Sequence, residues 1–179
     1  MKKVALFFGS TTGTCEEIAY KIAKQLNLSK SDVYNVTDLS ADKVAEYEVL
    51  LLGTSTWGDG ELQDDWYDGI EVLKGVDLAD KTVALFGCGD SESYSDTFCD
   101  GIGLLYKDLK ASGCTFIGNK VPTDSYEFAS SLAVDNGAFV GLAIDDLNQS
   151  GLTDARIEDW VNELKRNSLP SKRALIRIE

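Results

Sequence analysis

Apolar residues along this chain follow two rhythms that take turns. Val4-Ala5-Leu6-Phe7-Phe8, Val49-Leu50-Leu51-Leu52 and Val83-Ala84-Leu85-Phe86 are unbroken runs, the pattern of strands covered on both faces. A weaker strand is predicted at Val33-Tyr34-Asn35-Val36 and a short one at Thr115-Phe116-Ile117. Between these runs the period becomes helical. Ile18, Ala19, Ile22, Ala23 and Leu26 share one face, and Trp66, Ile70 and Leu73 share another. A further helix is centred on Ile102-Gly103-Leu104-Leu105-Tyr106, and Ile157, Trp160, Val161 and Leu164 line a last one. Asp154 near the start of that last helix and Lys165-Arg166 near its end suit the helix dipole. Alternation of this kind predicts an α/β fold, a parallel sheet with helices on both faces and right-handed crossovers.

The alternation breaks between Gly118 and Leu152. Turn-forming residues (Pro122, Thr123-Asp124, Asn136-Gly137) accompany a single apolar patch, Phe139-Val140-Gly141-Leu142-Ala143. A structureless loop of that length is rare inside a compact domain. The segment is therefore read as an insertion, about 119–138, that interrupts the fifth strand and carries small strands of its own. Two prolines and no linker-like stretch leave one domain, 1–169. Residues 170–179 are read as a tail, disordered or artificially added.

In such sheets ligands bind beyond the carboxyl ends of the strands, so the loops after the three strong runs belong together. The first is Gly9-Ser10-Thr11-Thr12-Gly13-Thr14-Cys15. Its hydroxyls, with backbone N–H groups at a helix N-terminus, suit an anion such as phosphate. It lacks the Gly-Lys-Ser/Thr ending of a nucleoside-triphosphate loop and the three-glycine dinucleotide fingerprint. The bland alternative is a hydroxyl-rich helix cap. The second loop, Thr54-Ser55-Thr56-Trp57-Gly58-Asp59-Gly60-Glu61, offers an indole with no apolar neighbour; taken alone, such a Trp is more often a lid on the core. The third, Gly87-Cys88-Gly89-Asp90 through Tyr94, adds a second aromatic ring. One phosphate cage and two aromatics at adjacent strand ends fit a flat ring with a phosphate tail, and flavin mononucleotide (FMN) fits better than an adenine nucleotide.

These residues resemble flavodoxin, specifically its long-chain type, from Lys3 to about Leu169. The likeness rests on Ser10-Thr11-Thr12-Gly13-Thr14, Thr54-Ser55-Thr56-Trp57, Gly60-Glu61-Leu62-Gln63-Asp64-Asp65-Trp66, Phe86-Gly87-Cys88-Gly89-Asp90 and Tyr94. It continues through Thr123-Asp124-Ser125-Tyr126-Glu127-Phe128, Phe139-Val140-Gly141-Leu142-Ala143-Ile144-Asp145 and Asn148-Gln149-Ser150. The resemblance implies a flavodoxin-like three-layer sandwich with a five-stranded parallel sheet of order 2-1-3-4-5. It also implies non-covalent FMN and one-electron carriage between redox enzymes through semiquinone and hydroquinone states, so the chain is expected to be a carrier and not an enzyme. Partners of this kind are ferredoxin/flavodoxin-NADP reductase, 2-oxoacid oxidoreductases and nitrogenase-type acceptors.

By the same resemblance, Ser10, Thr11, Thr12, Gly13, Thr14 and Cys15 hold the phosphate. Trp57 covers one flavin face and Tyr94 stacks on the other. Ser55, Thr56, Gly58, Asp59, Gly60, Cys88, Gly89, Asp90, Thr97 and Cys99 complete the cofactor set. Cys15 stands where Thr or Ser is usual, Cys88 where Thr is common, Thr97 where Asn is and Ser55 where Pro is. A thiol is a weak donor, so a phosphate contact is expected to be lost at Cys15 while its N–H remains. In the family the peptide after this Trp is thought to flip toward flavin N5 in the one-electron form. Glycine can take positive φ without a Cβ penalty, as such a flip requires, so Gly58→Val or Gly58→Thr is expected to destabilise that form.

Charge sharpens the picture. The 179-residue chain carries 17 Lys plus Arg against 30 Asp plus Glu, a net −13. That excess argues against nucleic acid or anionic lipid as a partner. The acids cluster: Asp59, Glu61, Asp64, Asp65, Asp68 and Glu71 fall between Thr54 and Leu73 with no base among them. Asp90, Glu92, Asp96 and Asp100 do the same, as do Asp124, Glu127, Asp135, Asp145, Asp146 and Asp154 between Val121 and Ala155. Such a field is expected to hold the semiquinone/hydroquinone couple well below that of free FMN, and to steer basic partner surfaces. The bland reading is a solvated surface that keeps the protein soluble.

The chain has no histidine, which excludes imidazole bases and ligands, and no metal is expected. Cys15, Cys88, Cys99 and Cys114 lack C-x-x-C spacing and are read as reduced thiols in a cytoplasmic monomer. The start, Met1-Lys2-Lys3-Val4, leads straight into a short strand, with neither secretion signal nor membrane span expected. Two rivals share the fold. A flavin or quinone reductase needs a nicotinamide site, which no motif here resembles. A phospho-acceptor receiver needs acids where the first strand ends in Phe8-Gly9-Ser10 and the third in Gly53-Thr54.

Overall fold

The three unbroken runs lie side by side at the centre of one parallel sheet. The computed structural model describes residues 2–167 and residue 169; the expected tail, 170–179, falls outside the described residues. The chain runs through β1 (Val4–Gly9), α1 (Thr14–Gln25), β2 (Val33–Asn35), α2 (Ala41–Glu46) and β3 (Val49–Trp57). It continues with β4 (Glu61–Leu62), α3 (Asp65–Lys74), β5 (Thr82–Cys88), α4 (Asp100–Leu109) and β6 (Thr115–Phe116). The last third holds β7 (Val121–Pro122), β8 (Val134–Asp135), β9 (Ala138–Phe139), β10 (Leu142–Ile144) and α5 (Thr153–Asn167).

The order across the sheet is β2-β1-β3-β5-β10, with β6 also on β5. Thr115 and Phe116 pair with Thr82 and Val83, while Leu142 to Ile144 pair with Phe86 to Cys88. Thus β6 and β10 are two pieces of one interrupted fifth strand along the two ends of β5, and the order is the expected 2-1-3-4-5. The chain between them forms a separate antiparallel sheet, β7-β9-β8.

Burial explains the periodicities. Ala5, Leu6 and Phe7 are completely buried, as are Leu50, Leu51, Leu52, Val83, Ala84 and Leu85, because both faces of the sheet are covered. In one layer α1 buries Ile18, Ala19, Ile22 and Ala23 and packs on α5, which buries Ile157, Trp160, Val161 and Leu164. In the other, α3 and α4 bury Trp66, Ile70, Leu73, Ile102, Leu105 and Leu109. Each of the Ile, Leu and Val side chains among them contributes about 1.5–3 kcal/mol relative to exposure. The Trp66 indole keeps its polar atom satisfied by donating to the Gly53 carbonyl at 2.7 Å.

Two elements differ from expectation. Helix α2 has no strong apolar period because Val44 is its only buried residue; its local signal is Ser40, whose hydroxyl accepts from Lys43 N at 3.2 Å. The stretch 54–61, read as a loop, is instead the end of β3 turning back into β4, with Trp57 opposite Glu61. Its polar residues hide the strand because they serve neighbouring backbone: Thr56 Oγ1 accepts from Gly101 N, in the first turn of α4, at 3.0 Å.

Register then sets the position of the site. Gly9 lies opposite Thr54, Ser55 opposite Cys88, and Cys88 opposite Ile144. The carboxyl ends of β1, β3, β5 and β10 are level, so the four loops that follow them open on the same edge.

Candidate functional site

At that edge lies an open cleft of about 250 Å³, lined by Thr12, Thr14, Ser55, Thr56, Trp57, Gly58, Cys88, Gly89, Asp90, Tyr94, Thr97, Asp146 and Leu147. One end is the start of α1. Gly13 caps the helix at φ 97 and has no side chain with which to bond the first-turn N–H groups. The first-turn N–H groups are left to an anion, favoured by the helix dipole. Ser10 and Thr11 shape this loop from behind. The Ser10 hydroxyl accepts from Gly13 N at 3.2 Å, and the Thr11 hydroxyl accepts from Gln63 Nε2 at 3.2 Å. Glu16 and Glu17 stand in the first turn, so an anion there keeps negative company.

The other end is aromatic. The Trp57 indole donates to the Ser55 hydroxyl at 2.9 Å, which fixes its plane, and the residue remains 39% exposed. Tyr94 is 48% exposed. Both rings leave much of their surface without a protein partner. Gly58 and Gly60 make the turn after Trp57, at φ 50 and φ 100, and Gly60 N donates to the Trp57 carbonyl at 3.1 Å. A Cβ at Gly60 would sit 2.6 Å from Asp100 Oδ2.

Most residues anticipated from sequence stand on the cleft wall. Ser10, Thr11 and Gly13 form the loop behind it, while Asp59 and Gly60 lie in the adjoining turn. The side chains of Cys15 and Cys99 are completely buried and face the core. The Cys15 thiol lies against that of Cys88; this neighbour, then burial, raises Cys15 well above an ordinary thiol. Only the backbone of Cys15 is available to a bound anion. Burial likewise raises Cys99, whose thiol is turned toward the Ile144 carbonyl at 3.9 Å. All four cysteines are free.

Sequence reasoning missed Asp146 and Leu147, the latter 77% exposed. The available signal was the strand-end rule applied to the interrupted fifth strand. Their loop is tied to the third loop through Asn148, whose amide donates to Asp90 Oδ1 at 2.8 Å and Asp145 Oδ1 at 2.9 Å. Ser91 donates to the other oxygen of the fully buried Asp145. The Asn148 amide, helped by the Ser93 N–H, holds the Asp90 carboxyl below the ordinary carboxylate range.

Asn148→Leu is expected to destabilise the apoprotein by about 1–3 kcal/mol at neutral pH, because a buried carboxylate loses donors. The sign of its pH dependence follows from Asp90. A depressed folded pKa contributes stability that is present above about pH 4 and lost as pH falls through the folded value. Urea unfolding should therefore show the gap between variant and wild type narrowing in acid; a gap that widens there would contradict the network.

The charges on the wall are Asp90 and Asp146, with no Lys or Arg among the described lining residues. An uncapped helix start at one end and two half-bare rings at the other fit a phosphate tail and a flat aromatic ring. Among the described residues no cluster of acids and cysteines could hold a metal ion, and no helix is long and apolar enough to cross a membrane.

Comparison with known proteins agrees with this geometry. A family model described as flavodoxin matches residues 6–160. Flavodoxin 1 of Azotobacter vinelandii is 39% identical over 175 residues, covering 96% of this chain and all of that protein. Flavodoxin 1 of Escherichia coli K12 is 42% identical over 165 residues, 92% of this chain and 93% of its own. Among solved structures, Fusobacterium nucleatum flavodoxin bound to flavin mononucleotide superposes with a TM-score of 0.83 at 32% identity, covering 93% of this chain and 98% of that one.

Proposed function

The chain belongs to the flavodoxin family, and we propose that its FMN lies in the cleft between Trp57 and Tyr94 and serves as a low-potential electron carrier. The protein is an FMN-binding electron-transfer protein, not an enzyme. The observation that carries the finer reading is the pairing of an uncapped helix N-terminus with two exposed aromatic rings across a cleft whose only charges, among the described residues, are acidic.

Bound FMN supplies one-electron redox chemistry. The protein's share is to bind, orient and shield. Thr12, Thr14 and the first-turn N–H groups of α1 hold the phosphate with neutral dipoles, so its charge is retained. Ser55 orients the Trp57 indole on one face, while Tyr94 covers the other. Leu147 adds an apolar edge beside Asp146. The wall acids disfavour the build-up of further negative charge, which makes the reduced protein a strong donor. Residues 1–169 are read as one FMN-binding domain, acting as a cytoplasmic monomer. Partners that fit this acidic edge carry basic patches around their own redox centre, as expected of ferredoxin/flavodoxin-NADP reductase, 2-oxoacid oxidoreductases or nitrogenase-type acceptors.

Purified protein is expected to be yellow and to release FMN, not FAD, on denaturation. It should accept electrons from a flavodoxin reductase at a rate that falls as salt is added. Steady-state NAD(P)H oxidation by the isolated chain, or release of a different flavin, would overturn the reading.

A further inference from the structure

No residue at the start of α3 lines the cleft, yet one side chain there reaches the loop ahead of α1. Thr11 and Thr12 in that loop are exposed. Among the described residues, the one side-chain hydrogen bond that reaches 11–13 from outside the loop comes from Gln63, whose Nε2 donates to the Thr11 hydroxyl at 3.2 Å. Gln63 itself is 2% exposed, and every polar atom of its amide has a partner. Its Oε1 accepts from Asp65 N at 3.0 Å, and its Nε2 also donates to Asp65 Oδ2 at 2.9 Å. A backbone N–H can only donate and a carboxylate can only accept, so Asp65 fixes which way the amide points. That orientation is set before any ligand arrives.

The support beneath Gln63 is part of the core. Its carbonyl accepts from Trp66 N at 2.9 Å, and Trp66 is completely buried with its indole bonded to the Gly53 carbonyl. The chain leaves β1 directly against this pair. A Cβ at Gly9 would sit 2.5 Å from Gln63 Oε1 and 2.5 Å from Trp66 Cδ1. Two residues later the Thr11 hydroxyl meets the same amide. The exposed loop is thus held at its entry by close packing and at Thr11 by a hydrogen bond, both on one buried side chain.

The geometry points to Gln63 as a positioning residue for the phosphate end of the site, acting through Thr11. Holding Thr11 from behind removes backbone freedom that an anion would otherwise have to remove when the loop closes on it. It also keeps the peptides of 11–13 turned so that the N–H groups at the helix start remain free for the anion. Gln63 bonds to no residue of the cleft wall, so its effect is confined to the phosphate end. Its loss should therefore tell FMN from riboflavin, which carries the same ring without the phosphate. This inference rests on the placement of the FMN phosphate at the start of α1.

The test compares FMN and riboflavin affinities of the full chain by fluorescence quenching, together with urea stability of each apoprotein. Gln63→Met keeps the length of the side chain and removes its donor; Thr11→Val removes the acceptor at an exposed position. The unchanged chain is expected to prefer FMN. Each single variant should lower that preference about fivefold, equivalent to about 1 kcal/mol, while riboflavin affinity stays the same in Thr11→Val. The double variant should lower it no further, because both changes remove the same bond. A preference left intact in Gln63→Met would assign Gln63 to folding alone and overturn the inference, even if the apoprotein unfolds more easily. An intact preference in Thr11→Val overturns it whether or not Gln63→Met folds. Losses that add in the double variant do so too, since Thr11 and Gln63 would then act separately. If the unchanged chain binds riboflavin as tightly as FMN, the placement of the phosphate is wrong; if it prefers FMN and the variants keep that preference, only the positioning role falls.

Discussion

Apoprotein carrying Trp57→Ala together with Tyr94→Ala is expected to bind FMN on the order of a thousandfold more weakly than the unchanged chain, since each ring stacked on a flat base is worth about 1–3 kcal/mol. The two rings are 39% and 48% exposed, so neither is committed to the core. Their removal should accordingly leave the urea midpoint of the apoprotein almost unchanged, which separates loss of binding from loss of fold. The Trp57 change should have a second consequence, because Ser55 loses the indole N–H that it accepts. Each single variant is expected to weaken binding by about ten- to a hundredfold. Fluorescence titration of FMN at low and high salt measures this directly. A double variant within tenfold of wild type would place the flavin elsewhere.

The second large effect concerns the potential. The second one-electron couple of bound FMN is expected to lie at least on the order of a hundred millivolts below that of free FMN. Adding the second electron increases negative charge in a site that already holds it. A carboxylate ~10 Å away in water-like dielectric opposes that step by about 0.4 kcal/mol, on the order of 20 mV for one electron. Asp90 and Asp146 lie on the wall itself, and Glu16 and Glu17 flank the phosphate end. With only neutral dipoles at the helix start and no Lys or Arg among the described lining residues, a phosphate bound there would keep its formal charge. Partial exclusion of water by the two rings strengthens every term. Asp90→Asn and Asp146→Asn both keep an oxygen for their existing donors, Asn148 and Thr153. Each should raise the couple by roughly 20 mV, and added salt should raise it in the wild type. A redox titration that puts the couple at or above the free value would refute the electrostatic account.

Much of this site was legible in the residues because strand ends announce themselves. Unbroken apolar runs cannot be surface strands, and once they are taken as parallel neighbours, the loops after them must share an edge. Thr12, Thr14, Trp57, Asp90 and Tyr94 follow from that alone. What escaped detection did so for identifiable reasons. The helix over Ala41–Glu46 buries only Val44, so it leaves almost no period to read. Thr54 to Trp57 has the composition of a loop, yet forms a strand because its hydroxyls serve neighbouring backbone. Cys15 is placed in the phosphate set by the resemblance, with only its N–H expected to serve, and the fold supplies a reason that no spacing gives. It sits at the second position of α1, on the face turned to the core, so its thiol meets Cys88 and only its N–H can meet a ligand.

The order of apolar and polar residues, by itself, determined a layered α/β chain, its ligand-bearing edge and the sign of the charge on it. Those properties depend on local pattern: period fixes the element, composition fixes the field. Only tertiary structure decided which loop residues face the cleft and which turn inward, that Asn148 ties two acidic loops together, and that Gln63 reaches Thr11 across 52 residues of chain. These are long-range hydrogen bonds and contacts, and no local spacing encodes where two distant segments will meet.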